Sequence, residues 1–298
     1  METPRPARYL AYMTIKSTPP SGVYPDVPFS EYLEWDAISS HDLMKMMRSP
    51  AHYRYSKDAQ RGEPSAAMRL GTAVHAYILE ENDVSDDVAV LPPDINRRTK
   101  AGKEDYAIFC ADNSSRTILT LDEHQKASNM ADTVFACRAA QVTLDAAPHR
   151  EHSLLWECPT SGLAARGRPD AYGPDHNIVV DIKTTADASP HAFAKSVANF
   201  KYHVQAFAYM NGLQALGKLD DSCQFIIIAV ESSAPYTVGV YALDRSDVEL
   251  GGQLYAEATA KYMECAHSDV WPGYSEDKIE VLPLPTWARK NYDRNQED

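Results

Sequence analysis

The chain carries an aspartate, Asp170, and eleven residues later the run Asp181-Ile182-Lys183. Residues two apart on a strand share a face, so Asp181 and Lys183 are expected to point the same way. If the segment holding Asp170 folds back on that strand as a hairpin, both carboxylates approach one end of a sheet. Two carboxylates a few ångströms apart bind a hard divalent cation through oxygen, and Mg²⁺ tolerates bound water there. Such a metal lowers the pKa of its water and polarises a phosphate ester. A lysine alongside can orient or deprotonate the attacking water and offset charge in the transition state. Taken alone the triplet says little, because Asp-x-Lys arises often by chance and a solvated hairpin explains it as well.

The elements around these residues have the order needed to position them. Residues 152–158, 164–172 and 177–183 read as three strands, joined by turns at Thr160-Ser161-Gly162 and Gly173-Pro174-Asp175. Upstream, Ser39 or Ser40 caps a short helix through Asp42–Met47, which Ser49-Pro50 stops. A second helix over 66–81 puts Leu70, Val74, Tyr77 and Ile78 on one face, and others follow near 100–112 and 121–146. Downstream come one or two helices over 190–216, strands at 224–231 and 236–243, and a helix at 245–266. The expected fold is α/β, with a mixed central sheet covered on both sides and a helical N-terminal portion. Residues 1–35, rich in Pro and Tyr, are expected to be an extended arm, 36–270 the folded domain, and 271–298 a Pro-rich tail.

Composition sets limits. With 298 residues, 44% of them hydrophobic, the chain can bury a sizeable core. No apolar run reaches membrane-spanning length, and Met1–Leu10 lacks the apolar segment of a secretion signal, so a cytoplasmic protein without a membrane partner is expected. The five cysteines are odd in number and scattered, with no Cys-x-x-Cys pair; free thiols are expected rather than disulfides, zinc or an iron–sulfur cluster. The net charge of −13 counts against a nucleic-acid partner, but its distribution is uneven. Residues 211–298 carry 7 Lys+Arg against 15 Asp+Glu, whereas 151–210 carry 5 against 6. A local basic run, Arg97, Arg98, Lys100 and Lys103, could contact phosphate or simply be a solvated helix start.

The motifs together resemble a known family. Pro169-Asp170 followed by Asp181-Ile182-Lys183 resembles the PD-(D/E)XK nuclease signature. Gln205 and Tyr209, one helical turn apart, are similar to the Gln-x-x-x-Tyr motif of the branch containing the RecB nuclease domain and RecE. Gly71-Thr72-Ala73-Val74-His75 resembles the helical histidine motif of that branch. Similarity to the RecE-like (exodeoxyribonuclease VIII) family extends over roughly residues 36–268. It includes Arg97–Lys103, Tyr202-His203-Val204-Gln205, and Val230-Glu231 with Pro235-Tyr236.

The resemblance implies a PD-(D/E)XK core, with His75, Asp170, Asp181 and the main-chain carbonyl of Ile182 as ligands to Mg²⁺ or Mn²⁺. It makes Lys183 the catalytic lysine and places Gln205 and Tyr209 beside it, positioning a phosphate or the lysine. It implies an exonuclease on linear double-stranded DNA ends that digests the 5′-ended strand and leaves a 3′ tail for a single-strand annealing protein, in a phage or prophage recombination module. Relatives of this kind form rings that thread DNA. Two alternatives stay open: a RecB-like nuclease of other polarity or single-strand preference, and an idle DNA-binding protein of this fold. Asp181 stands where many members have glutamate, which alters reach and not chemistry. Arg97, Arg98, Lys100 and Arg168 are the expected DNA contacts, Arg166 and Arg168 sharing one side of a strand. Glu157 is a candidate supporting carboxylate.

Overall fold

Local capping chemistry fixes where the first elements start. In the computed structural model, which describes residues 18–59, 62–80, 87–275, 277–286 and 288, strand β1 (Gly22–Tyr24) and the single turn α1 (Phe29–Tyr32) precede β2 (Ile38–Ser39). Helix α2 (Ser40–Arg48) begins in a reciprocal cap: Asp42 N donates to Ser39 Oγ at 3.2 Å, and Ser39 N donates to the Asp42 carboxylate at 3.1 Å. Ser49 ends α2 and caps α3 (Pro50–Asp58), whose Pro50 sits in the first turn, where its missing N–H has no partner to lose. Ser65, Thr99 and Thr120 cap α4 (Ala66–Leu79), α5 (Lys100–Asp112) and α6 (Leu121–Ala136) in the same way, with strands β3 (Val88–Val90) and β4 (Thr117–Leu119) between them.

The single long helix expected over 121–146 is instead two, α6 and α7 (Arg138–Asp145), divided at Cys137, whose backbone is extended. The bend lets Met130 and Val134 of α6 and Ala140 and Leu144 of α7 reach one core.

After α7 come β5 (His149–Arg150), β6 (Ser153–Glu157), β7 (Ala164–Gly167), β8 (Ala171–Gly173) and β9 (Ile178–Thr185). Helices α8 (Pro190–Phe200) and α9 (Tyr202–Ala215), strands β10 (Gln224–Glu231) and β11 (Val238–Ala242), and helix α10 (Arg245–Ser268) complete the order. The central sheet runs β11-β10-β9-β8-β5 and is mixed: β9 and β10 are parallel, the other neighbours antiparallel. Its faces alternate as the pleat requires. Val180, Ile182, Ile228 and Val230 pack with α4, α6 and α7, while Val179, Phe225, Ile227 and Ala229 pack with α2, α9 and α10. The expected α/β fold with a mixed, doubly covered sheet is thus the one observed.

The expected strand over 164–172 is a correction. It divides between two sheets: β7 belongs to a four-stranded sheet, β1-β6-β7-β2, and only β8 pairs with β9. The crossing residues are Arg168, Pro169 and Asp170. Pro169 has no N–H to give to a ladder. Gly167 lies so close to α9 that a Cβ there would stand 2.9 Å from Tyr209 Cδ1. A second surprise is the N-terminal segment. The part described, from residue 18, is no free arm: β1 pairs with β6, and Tyr24, Tyr32 and Trp35 form a small aromatic cluster against Leu155. Residues 1–17 lie outside the described part. The five cysteines are free, with Cys158, Cys223 and Cys265 buried. Among the described residues no helix is long and apolar enough to cross a membrane.

Candidate metal centre

The site forms where β9 outruns its neighbour. Strand β8 pairs with β9 only as far as Val180, so the edge of β9 beyond that point is open on one side. Asn177 and Thr185 direct their carbonyls to β10, accepting from Gln224 N at 3.0 Å and Ser232 N at 2.7 Å. The even-numbered residues therefore face the open edge. There Ile182 N donates to Asp170 Oδ2 at 2.6 Å. A strand residue presents its N–H and C=O to the same side, so the Ile182 carbonyl opens on this edge too.

Asp170 is held from both directions. Its Oδ1 lies 3.4 Å from His75 Nδ1 on α4, and its carbonyl accepts from Glu151 N at 3.0 Å. Glu151 occupies the turn between β5 and β6 with φ 52°, a left-handed conformation uncommon for a residue with a side chain. That turn brings its carboxylate into the cluster: ligand atoms of His75, Glu151 and Asp170 all lie within 4.8 Å of one another. One imidazole and two carboxylates make a donor set suited to a divalent cation.

Asp181 and Lys183 project from the other face of the strand edge. Asp181 is 1% exposed, and Lys183 Nζ stands 2.5 Å from its Oδ2. The two form a buried ion pair, with the Lys183 ammonium donating to that carboxylate. A buried carboxylate next to the His75, Glu151 and Asp170 donor set is placed to add a further oxygen to a cation there. The residues present therefore fit a metal.

The charges of the cluster act strongly on one another. Burial pushes the Asp181 carboxyl up to about 6, with Lys183 pulling it down and Asp170 adding to the rise. Burial alone would lower His75, but Asp170 beside it raises it to about 9. Burial opposes the charge on Asp170 as well, and His75 holds it below the usual carboxylate range. Burial also works against the Lys183 ammonium, which Asp181 and Asp170 nonetheless keep above its ordinary value. Glu151 is raised by burial and by Asp170, with Arg168 as partial compensation.

The other expected residues divide. Gln205 and Tyr209 lie buried on α9, where Gln205 Nε2 donates to Tyr209 Oη at 3.1 Å. Tyr209 packs on Gly167, at the crossing that delivers Asp170, and its phenol is raised well above the usual range by burial. The Arg168 guanidinium is occupied inside the protein: Nε donates to Glu151 Oε2 at 2.9 Å, and Nη1 to the Val27 carbonyl at 2.9 Å and Ser153 Oγ at 3.0 Å. Arg166 is buried, donates to the Tyr32 carbonyl, and lies 5.0 Å over the Tyr32 ring. Neither arginine has its fork turned outward. Arg97, Arg98 and Lys100 are exposed at the start of α5, with Arg97 stacked 4.4 Å over Tyr106. Glu157 is exposed at the end of β6, outside the carboxylate cluster. Glu151 is the residue that sequence reasoning missed, because a left-handed turn between two strands leaves no periodic signal.

A family model described as a PDDEXK-like domain of unknown function (DUF3799) matches residues 39–283. The crystal structure of a protein from Eubacterium rectale, provisionally described as an exonuclease, superposes with TM-score 0.59 at 11% identity, over 88% of this chain and 95% of that one. At that identity the likeness is one of fold. The structure of SSO0001 aligns at TM-score 0.27 and 14% identity over 75% of this chain and 85% of that one, too loosely to argue from. No curated protein matches. The matched region runs from the cap of α2 past the end of α10 and takes in every site residue named above, and on that basis the chain belongs to the PDDEXK-like family DUF3799, within the PD-(D/E)XK superfamily.

Proposed function

We propose that this protein is a metal-dependent DNA nuclease, and specifically a RecE-like exonuclease of linear duplex ends. The observation that carries the proposal is the juxtaposition at the open edge of β9. The buried Asp181 carboxylate, paired with Lys183 at 2.5 Å, stands one residue from the Ile182 amide that holds Asp170 beside His75 and Glu151. His75, Asp170, Asp181 and the Ile182 carbonyl would hold the ion, with Glu151 as a further donor. Bound there, a divalent ion would lower the pKa of a water and polarise the scissile phosphate. Lys183, kept cationic by the two aspartates, orients the attacking water and offsets charge that gathers on the phosphate oxygens. Asp170 fixes the edge by holding the Ile182 amide, and Arg168 fixes Glu151. Gln205 and Tyr209 set the position of the crossing from behind.

The finer parts of the reading rest on the sequence resemblance: digestion of the 5′-ended strand, a 3′ tail passed to a single-strand annealing protein, a ring-shaped oligomer, and work in the cytoplasm of a phage-bearing cell. The purified protein is expected to degrade linear duplex DNA with Mg²⁺ or Mn²⁺, to be silent in EDTA, and to spare closed circles. Strand-specific end labels read the polarity. Undiminished hydrolysis in EDTA, or no cleavage of any DNA with any divalent ion, would refute the proposal.

A further inference from the structure

The site lysine has an aromatic neighbour that the nuclease reading does not use. Lys183 Nζ lies 4.8 Å from the centroid of the Tyr202 ring. Tyr202 in turn stacks on Phe200, with centroids 5.7 Å apart and planes 24° from parallel. Behind Tyr202 stands Phe193, 2% exposed, with centroids 6.3 Å apart; Phe193 stacks on Tyr241 at 5.6 Å. At the outer end, Phe200 is 61% exposed. A row of rings thus runs from the core, past the lysine ammonium, to an apolar face in water.

The backbone makes this row deliberately. Phe200 ends α8 and Tyr202 begins α9, with Lys201 between them in the left-handed region at φ 61°. In an unbroken helix, residues two apart point about 200° away from each other, so their rings could not stack. The left-handed residue brings them side by side, and a lysine there is held at a cost in free energy. Leaving a phenylalanine ring in water adds to that cost. The turn thus sets an exposed ring face, stacked on Tyr202, within one ring of the Lys183 ammonium.

We propose that Phe200 and Tyr202 are a stacking platform for an unpaired base, that of a nucleotide adjacent to the phosphate served by Lys183. This rests on the nuclease reading and adds to it that the strand enters the site locally single-stranded. Aromatic faces take any base, so the platform is indifferent to sequence. Lys183 on one side of Tyr202 and Lys201 at the turn supply the positive charge that the flanking phosphates require.

The test uses the full chain with oligonucleotides carrying 2-aminopurine at successive nucleotides from the end, and Ca²⁺ in place of Mg²⁺ to hold the strand uncleaved. The parent is expected to quench one position. Phe200→Ala, at an exposed site, should lose that quenching and bind the strand about 5- to 100-fold more weakly. In the cleavage assay with Mg²⁺, KM should rise with kcat little changed, and Phe200→Trp should restore both readouts. An abasic nucleotide at the quenched position should erase the difference between parent and Phe200→Ala. If Phe200→Ala quenches and binds like the parent while the parent cleaves, the platform is wrong and the nuclease reading stands. If the parent neither binds nor cleaves DNA with any divalent ion, the nuclease reading fails and the platform falls with it.

Discussion

Replacing Lys183 with alanine separates metal binding from hydrolysis, and the structure shows why pH must be part of the experiment. The lysine is no ligand, so its loss removes no donor from the ion. It does remove the cation 2.5 Å from Asp181 Oδ2, which pulls down a carboxyl that burial already pushes up to about 6. Without the ammonium that carboxyl climbs further, and a proton competes with the metal near neutrality. Each unit by which it passes the assay pH costs about tenfold in apparent affinity. Lys183→Ala should therefore bind Mn²⁺ more weakly than the parent at pH 7 and at least as well at pH 9, where the competing proton is gone. Hydrolysis should fall by roughly 10²-fold or more at both pH values, the scale of losing a charge-stabilising or proton-transferring group. Asp181→Ala, which removes a proposed ligand, should bind Mn²⁺ poorly at both. Calorimetric titration of both variants beside a cleavage assay at pH 7 and 9 reads all of this. Cleavage by Lys183→Ala at the parental rate, or a metal affinity at pH 9 as low as that of Asp181→Ala, would overturn this division of labour.

Three further outcomes are expected. His75, raised to about 9, carries a proton at pH 7.5 that it must release to become a ligand. Mn²⁺ affinity should thus increase as pH rises toward 9, and the titration heat at pH 7.5 should vary with buffer ionisation enthalpy; a buffer-independent heat excludes His75. Glu151→Gln should weaken Mn²⁺ binding by about 10- to 100-fold while leaving the fold intact, the range seen when groups supporting a metal site are changed; unchanged affinity would remove Glu151 from the centre. Replacing Arg97, Arg98 and Lys100 together with alanine should weaken DNA binding and flatten its dependence on salt by about one released counterion per lost phosphate contact. An unaltered salt slope would leave that run as a solvated start to α5.

Much of this molecule is written in local patterns. The helix cap at Ser39, the helix over 66–81 and the i, i+4 pair Gln205 and Tyr209 all follow from short-range rules that sequence states directly. His75 and Asp170, which the motifs bring into one reading, lie 3.4 Å apart, while the hold of the Ile182 amide on Asp170 is not legible in the sequence. What escaped was decided at longer range. Residues 164–172 look like one strand because their side chains alternate, yet Pro169 and the tight contact at Gly167 send the two halves to different sheets. The arginines beside Asp170 look like DNA contacts in sequence, because nothing local reveals that carbonyls more than a hundred residues away claim them. Glu151 joins the cluster through a single left-handed residue, a conformation that residue type does not announce.

Those two arginines also bear on where the working unit begins. The family match starts at residue 39, and the expected domain at 36. Yet Arg166 takes its carbonyl from Tyr32, and Arg168 takes one of its own from Val27 while holding Glu151 beside His75 and Asp170. A shortened protein cut at the apparent domain edge would keep every motif residue and still lose the strap that holds two buried guanidinium groups in place. The loss would fall on the ligands and not on the motifs, so such a fragment could fold, pass every sequence criterion for the family, and bind its ion poorly. The contacts that hold Glu151 thus begin upstream of the family match.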